Sequence, residues 1–453
     1  MRIKELGPGL CRDDKIVMRI IADLHIHSRF SRACSRDLTL ENIAAACAVK
    51  GVNVVGAGDF THPEWFAEMK EKLIEKEPGL YVLKLPLPNP PLIKGRSFAT
   101  RFILSAEISC IYTKGGKVRR LHIVILAPSL ETVEKINLAL SKIGNLKSDG
   151  RPILGLDAEK LAEIVFGIDE RCVIIPAHIW TPWFAMFGSK SGFNSREECW
   201  SKYATPSSDG ASKIFAIETG LSSDPQMNWR VKNLDNVSII SNSDAHSLPN
   251  IGREANVFEI DENKLSYDEI ICLIKEKNPL NFLYTIEFYP EEGMYHLDGH
   301  RLCGVCLQPE ESERQKNICP VCKKELTIGV LNRVAELAAN ERPENFVDNS
   351  RVPFKKLIEL DKIIAESLGV KSRSAKQVQM VYQNLIASFG TELNILLEVS
   401  AEDLKKVVEP IMAEGILRAR AGQVKIKPCF DGQYGEIKIF NEEERGSFQK
   451  KLF

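Results

Sequence analysis

Asp23-Leu24-His25-Ile26-His27 closes a mostly apolar run, Ile16 to Ala22, and this junction decides the fold. An apolar run of that length reads as a buried strand, and in a strand alternate side chains share a face. Asp23, His25 and His27 therefore point the same way. Two imidazoles and a carboxylate converging at the end of a buried strand make half of a ligand shell, because divalent metals take neutral imidazole and carboxylate oxygen together. The other half has to come from elsewhere in the chain.

Ser28 to Asp37 is short, polar and Arg-rich, and Thr39 then opens a helix that runs to Lys50 and is closed by Gly51. Val52 to Ala57 is the next strand. The order repeats: Phe102 to Ser105, Val118 to Leu126, Cys172 to Ala177, Ile214 to Ile217, Val237 to Ser241 and Ala255 to Ile260 are short apolar runs separated by helical or loop segments. Such alternation predicts a parallel sheet, and the number of units predicts a barrel. Apolar runs lead directly into Asp59 and His62, into Glu107, into His178, into Glu218, and into Asp244 with His246, whereas His122 begins its run. In a parallel barrel the C-terminal strand ends share one rim, so residues scattered along the chain can meet there.

A chain of 453 residues exceeds one typical domain. The barrel is expected over residues 18–289. It follows a leader, residues 1–17, that contains Gly7-Pro8-Gly9 and leaves Met18 as a second candidate start. Residues 290–328 hold a linker and two Cys-x-x-Cys pairs, Cys303 with Cys306 and Cys319 with Cys322. Two such pairs close a tetrahedral zinc ribbon, and four thiolates leave no open position, so this zinc is structural. His296 and His300, just upstream, read as linker residues. Residues 329–453 show helical periodicity over Gly329 to Ala339, Lys355 to Ser367, Ala375 to Phe389 and Glu402 to Ala421. Ser400 and Asp403 make a capping-box start, and a short hairpin is expected within Gly422 to Phe440.

The 60 basic and 61 acidic residues give a formal charge of -1, which excludes a globally basic nucleic-acid binder and leaves local patches open. No apolar run approaches the roughly 18 residues needed to span a bilayer, and charges stand where a signal core would sit. A soluble, cytoplasmic protein with no membrane partner is expected. Most cysteines outside the paired module sit in apolar patterns, as reduced thiols do.

A lone histidine is more often a satisfied core or surface residue than a ligand. Here six of eight histidines stand at strand edges, and His25-x-His27 is answered by Ser243-Asp244-Ala245-His246, a combination that points to a metal site. Glu218, in Ile217-Glu218-Thr219-Gly220, either orients a water or a ligand histidine or is a solvated rim carboxylate, and Asp23 is open to the same orienting role. Arg29, Arg32 and Arg36 follow the histidine pair; Lys114, Lys117, Arg119 and Arg120 form a hairpin-like run; Arg418, Arg420, Lys425 and Lys427 mark the C-terminal end. Each cluster is more often a solvated face than a nucleic-acid contact. The loop after His178 carries Trp180, Trp183, Phe184, Phe187 and Lys190; it either packs on itself or lines a pocket for an unstacked base, with Lys190 at a phosphate.

Taken together these motifs resemble a known family. Asp23 to His27, Gly58-Asp59-Phe60-Thr61-His62, the isolated Glu107, His122 and His178, and Ser243 to His246 resemble the motifs of the polymerase and histidinol phosphatase (PHP) superfamily. With Phe288-Tyr289-Pro290-Glu291-Glu292, the segment Tyr295 to Cys303, the cysteine module and the helical tail, the chain is most similar to the endonuclease Q family, over about residues 18 to 440. The resemblance implies an α/β fold: a distorted (β/α)7 PHP barrel followed by a zinc ribbon and a helical C-terminal domain that binds DNA. It implies that His25, His27, Glu107 and Asp244 hold one metal, that Glu107 bridges to a second held by His122 and His178, and that a third uses His62 and His246 with Asp59. Many relatives have another histidine a few residues after the first pair, and Ser31 to Ser35 supplies none, so two or three divalent ions are expected, zinc alone or with magnesium or manganese. Glu107, Asp244, Asp59 and Glu218 are the catalytic candidates; Arg29, Arg32, Lys190, Trp180 and Trp183 are the DNA-binding ones. The activity implied is hydrolysis of the phosphodiester 5′ of deaminated bases (uracil, hypoxanthine, xanthine) and at abasic sites, in duplex or single-stranded DNA, with a sliding clamp as a further candidate partner.

The chain has no Gly-x-Ser-x-Gly, no cysteine in a catalytic pairing and no phosphate-cradling Gly-rich loop with Lys-Ser or Lys-Thr, which leaves metal-activated water as the nucleophile. A PHP-type phosphoesterase for a small phosphate monoester would use the same metals but gives no reason for a ribbon and a long helical tail. A non-catalytic metal-stabilised DNA-binding scaffold would be expected to show gaps among the ligands.

Overall fold

In the computed structural model, which describes residues 17–87, 99–206, 212–441 and 444, Val17–Asp23 is the strand that its apolar run demands. It lies between Val54–Gly56, running parallel, and Ala255–Asp261, running antiparallel, so Ala22 faces Val54 on one side and Asn256 on the other. The sheet continues through Arg101–Lys114, parallel to Val54–Gly56, and then through Lys117–Ala127 and Val173–Pro176, each antiparallel to its predecessor. At the other edge it takes in Phe282–Glu287 and Phe354–Lys356. Ala216–Glu218 and Ser238–Ile240 pair in a two-stranded sheet of their own. The Asn256 side chain ties that pair to the main sheet, accepting from Ser241 N at 3.0 Å and donating to Ser241 O at 2.8 Å.

The fold is thus mixed α/β with a central sheet, and the expectation of a parallel sheet is corrected. The reason lies at Gly115-Gly116, whose φ angles of +61° and +72° build a two-residue turn matched to the twist of antiparallel strands. Lys114 accordingly pairs with Lys117, and the basic run is a hairpin. Apart from Val17, which begins the first strand, the expected leader lies outside the described residues.

Alternate residues of each strand go to opposite faces. Ile20, Ala22, Val54, Ile103, Val124 and Ile175 join one buried cluster, together with Ile270 and Ile274 of the helix Tyr267–Glu276. Ile21, Val55, Phe102, Leu104, Ile125 and Ile174 join the other, beneath the helices Leu40–Lys50, Pro63–Lys72, Leu130–Leu140 and Ala158–Ile168. The first of these is capped as expected, with Thr39 accepting from Asn42 N and Gly51 at φ +91°. Strands buried on both faces leave few places for polar residues: most stand at strand ends, while Glu107 and His122 lie within Arg101–Lys114 and Lys117–Ala127. One end is plugged by Tyr267–Glu276, where Ser238 Oγ bonds Ile274 O. The polar residues gather at the other.

The C-terminal helices Leu360–Leu368, Lys376–Phe389, Glu392–Leu397, Ala401–Val407 and Pro410–Arg420 extend the outer cluster through Ile363, Leu385, Leu396 and Ile416. A buried Lys50–Glu392 ion pair at 2.9 Å ties them to the first helix. The helical stretch expected over Glu402 to Ala421 breaks at Pro410, which lacks an N–H and sits at the first turn of the next helix. Lys425–Lys427 and Glu436–Lys438 form the terminal hairpin. Among the described residues no helix is long and apolar enough to cross a membrane.

Candidate functional site

At the polar end, His25 Nε2 and His27 Nε2 lie 3.8 and 3.3 Å from Glu107 Oε2, and 3.8 and 3.0 Å from Asp244 Oδ1. The other oxygen of the same carboxylate, Glu107 Oε1, is 3.0 Å from His122 Nδ1 and 3.2 Å from His178 Nε2. Glu107 therefore has one oxygen in each of two clusters. Strand pairing explains this: His122 sits opposite Ser109, and Glu107, two residues along, shares that face. Asp244 is drawn in by its backbone, since Asp244 N donates to His25 O at 2.9 Å and His27 N to Ala245 O at 3.1 Å. Asp59, His178 and Asp244 all adopt left-handed φ angles (+47°, +30°, +45°), a conformation that costs a non-glycine residue about 1–3 kcal/mol. Gly220 makes room for His178, because a Cβ there would lie 2.3 Å from the His178 Cβ.

Among the described residues His25 Nε2, His27 Nε2 and Asp244 Oδ1 are buried with no well-aligned hydrogen bond, close as His27 Nε2 and Asp244 Oδ1 are to each other, a cost of about 1–3 kcal/mol for each buried polar atom left unmet. The donors fall into two groups, His25, His27, Glu107 and Asp244, and Glu107, His122 and His178. Imidazoles and carboxylates so arranged fit two divalent cations with Glu107 between them. Burial pushes the Glu107 carboxyl up, but His122 and Arg151 outweigh it and hold it well below the usual range. Burial in turn lowers His122, to about 4.

Several expected participants act one step back. Glu218 accepts from His25 Nδ1 at 2.9 Å, from Asn242 Nδ2 at 3.0 Å and from His178 N at 3.2 Å. It thus turns His25 Nε2 toward the cluster, the orienting alternative read in the sequence. Asp59 does the same for His27: Oδ1 lies 2.9 Å from Nδ1, while Oδ2 accepts from Ser28 N, Ser28 Oγ and Ser31 Oγ at 2.6, 2.6 and 2.9 Å. Asp59 is thus engaged by His27, Ser28 and Ser31. His62 stacks on Phe30 with centroids 4.2 Å apart, and His246 holds its Nδ1 2.8 Å from Asp244 O. Neither joins a ligand group among the described residues. The ligand set expected for a third metal, His62 and His246 with Asp59, is therefore not drawn together as the other two sets are, and Ser31, in the histidine-free stretch, donates to Asp59 instead. Asp23 orients no imidazole; it accepts from Ser243 N, Ser243 Oγ and Gly252 N and pins the loop carrying Asp244.

The cysteine module departs from its expected ligand set. His300, Cys303, Cys319 and Cys322 converge, with Cys322 Sγ 3.7 Å from His300 Nδ1, whereas Cys306 is exposed and outside the group. Pairing of Asp298–His300 with Val305–Leu307 sets Val305 opposite His300 and Cys306 opposite Gly299, on the other face. The signal was legible: His300-Arg301-Leu302-Cys303-Gly304 and Cys319-Pro320-Val321-Cys322-Lys323 are equivalent knuckles, each ending on a left-handed residue (Gly304 +63°, Lys323 +61°). One imidazole with three thiolates suits structural zinc as well as four thiolates do.

Above the paired clusters opens a cavity of about 880 Å³. His122, His178 and Asp244 line it beside Trp183, Tyr295 and Arg151, and Lys362, Arg373 and Tyr434 reach it from the C-terminal part. Arg151 Nη1 is 3.0 Å from Glu107 Oε2, a contact that the sequence reading did not single out. Of the expected DNA contacts, Trp183 is exposed at the cavity wall, Lys190 and Arg32 are exposed, and Arg29 is taken by Glu68. Trp180 is corrected to a core residue: it is 1% exposed, donates to Asn228 Oδ1 at 2.8 Å and packs on Phe187.

Residues 359–423 match the family model described as the MJ0043 C-terminal domain. The chain is 29% identical over 433 residues to the uncharacterized protein YqxK of Bacillus subtilis (strain 168), covering 93% of this chain and 99% of that one. Its structure is similar to that of the lesion-specific endonuclease PfuEndoQ from Pyrococcus furiosus (TM-score 0.78, 28% identity, 95% of this chain and 99% of that chain). It is equally similar to an endonuclease Q in complex with a 27-mer duplex substrate with an abasic lesion at the active site (TM-score 0.78, 30% identity, 94% and 98%).

Proposed function

The chain belongs to the endonuclease Q family, and from that premise we propose that it is a metal-dependent DNA repair endonuclease that hydrolyses the phosphodiester 5′ of deaminated bases and at abasic sites. The observation that carries the reading is Glu107, with one carboxylate oxygen in each of two buried ligand clusters at the floor of a cavity of about 880 Å³, a volume in the range of small-ligand sites. In this reading residues 18–289 form a distorted PHP-type barrel.

Two divalent ions held by these ligands would lower the pKa of bound water towards about 7 and stabilise both oxygens of an in-line displacement. Glu107 fixes the two ligand sets against each other, and Glu218 and Asp59 hold His25 and His27 in the tautomer that turns Nε2 inward. A damaged nucleotide has to leave the stack to reach this floor. That costs a few kcal/mol and costs least where pairing is already weak, as at deaminated or missing bases. Trp183 and Tyr295, packed edge to face at 6.0 Å on the cavity wall, offer apolar surface to such a base. The relative bound to a duplex with an abasic lesion at its active site supports duplex DNA as the substrate class. The knuckle module, holding zinc through His300, Cys303, Cys319 and Cys322, and the C-terminal helices and hairpin would grip the duplex on either side.

The test is incubation of metal-loaded protein with labelled duplexes containing uracil, hypoxanthine, an abasic site or no lesion, beside histidinol phosphate and a generic phosphomonoester. Incision next to the lesion is expected. Phosphate release from the monoesters alone would make the protein a small-molecule phosphoesterase, and neither activity would leave a DNA-binding scaffold.

A further inference from the structure

We propose that Arg151 is a catalytic residue whose guanidinium grips a non-bridging oxygen of the phosphate being cut. This rests on the phosphodiesterase reading above and adds to it a group that contacts the reacting phosphate.

Three observations converge on Arg151. First, its place is built. Gly150 N donates to Phe30 O at 3.0 Å, Ser109 N donates to Pro152 O at 3.0 Å, and Arg151 N donates to Asp149 Oδ1 at 3.1 Å, so the chain is pinned before, at and after the residue. Gly150 lies so close to the Asp59 and Ser31 side chains that a Cβ would come within 2.4 Å of both. The loop is therefore laid directly on the groups that orient His27. Second, the guanidinium reaches the site: Nη1 is 3.0 Å from Glu107 Oε2, the oxygen that faces the His25 and His27 cluster, and the side chain keeps 24% of its surface open on the cavity. Third, donors are left over. A guanidinium has five N–H groups in a fixed fork, and among the described residues its one side-chain partner is Glu107.

A charge argument gives these spare donors their use. With cations in both clusters, the oxygens of Glu107 and Asp244 serve those cations, and the guanidinium beside them becomes surplus positive charge at the cavity floor. In hydrolysis a water oxygen forms a bond to phosphorus, the bond from phosphorus to the 3′ oxygen breaks, and its electron pair stays on that oxygen. One proton of the water ends on the leaving 3′ oxygen, and the other passes to solvent from the new 5′ phosphate. Negative charge on the non-bridging oxygens is the feature a preorganised fork can meet, and Arg matches phosphate geometry where Lys offers a point charge. The plainer alternative is that Arg151 only neutralises Glu107, as a positioning residue.

Arg151→Lys and Arg151→Met separate the two, the first keeping the charge while losing the planar fork and the second losing both. Both variants are expected to fold, to retain the wild-type metal content by mass spectrometry and wild-type affinity for an abasic duplex, and to lose incision rate by about a hundredfold or more, as loss of one oxyanion donor does. Sulfur in place of one non-bridging oxygen at the scissile phosphate is expected to slow the wild type in one diastereomer and to lose that discrimination in Arg151→Met. Wild-type rates in Arg151→Lys, or a rate loss that follows loss of metal, would overturn the proposal. If wild-type protein cuts none of the duplexes and no monoester, the phosphodiesterase reading itself fails; wild-type incision with unimpaired variants sinks Arg151 alone.

Discussion

Replacing Glu218 by Gln changes one atom in a buried side chain that serves several donors. Glu218 accepts from His25 Nδ1, Asn242 Nδ2 and His178 N at 2.9, 3.0 and 3.2 Å. A Gln oxygen can keep part of this set, but its NH2 then faces a donor, so at least one buried N–H goes unmet at a cost of about 1–3 kcal/mol. His25 also loses the acceptor that fixes its tautomer. Outer partners of metal-binding histidines contribute about 10–100-fold to metal affinity, or roughly 1.4–2.7 kcal/mol. Chelator-competition titration, run beside incision rates at rising metal concentration, reads both effects. The expected result is weaker metal binding with incision restored to within a few-fold at saturating metal, because Glu218 is buried behind His25 and touches no substrate. Unchanged metal affinity with a large loss of rate at saturation would instead make Glu218 a reacting group and refute the reasoning.

In the knuckle module, His300→Ala should release the bound ion and lower the melting temperature, whereas Cys306→Ser should leave metal content and stability within about 0.5 kcal/mol of wild type; equal losses in both would return Cys306 to the ligand set. Burial pushes the Glu287 carboxyl up to about 8, so between its ordinary value and pH 8 the folded chain keeps a proton that the unfolded chain releases. Stability in urea should therefore fall as pH rises through that window, by up to about 1.4 kcal/mol per pH unit from this group, and Glu287→Gln should flatten the slope; an unchanged slope would assign it elsewhere. Trp183→Ala should weaken discrimination between lesion and intact duplex with little change in stability, whereas Trp180→Ala, at a 1% exposed core position, should cost about 3–5 kcal/mol.

The metal-ligand pattern was readable because period-two strands ending in acids and histidines leave few other arrangements: Glu107, His122, His178, Asp244 and the His25–His27 pair meet as their positions implied. Strand direction was not readable from alternation, since Arg101–Lys114 and Lys117–Ala127 differ from a parallel unit only through two glycines. Asp59 passed for a ligand because its three partners at Oδ2 are a backbone amide and two serine hydroxyls, which carry no periodic signal. Arg151 and Tyr434 line the same cavity as His122, His178 and Asp244 because segments far apart in the chain meet there, where no local spacing applies. His300 is the one that spacing could have found, because His-x-x-Cys-Gly repeats the pattern of Cys-x-x-Cys-Lys.

Anomalous diffraction from metal-loaded crystals, collected on both sides of the zinc and manganese edges, bears most directly on the rim. Two peaks flanking the Glu107 carboxylate, one among His25, His27 and Asp244 and one between His122 and His178, with a separate zinc at His300, Cys303, Cys319 and Cys322, are expected. Zinc at the knuckles alone, with no density on either side of Glu107, would contradict the assignment of this rim as a two-metal hydrolytic centre.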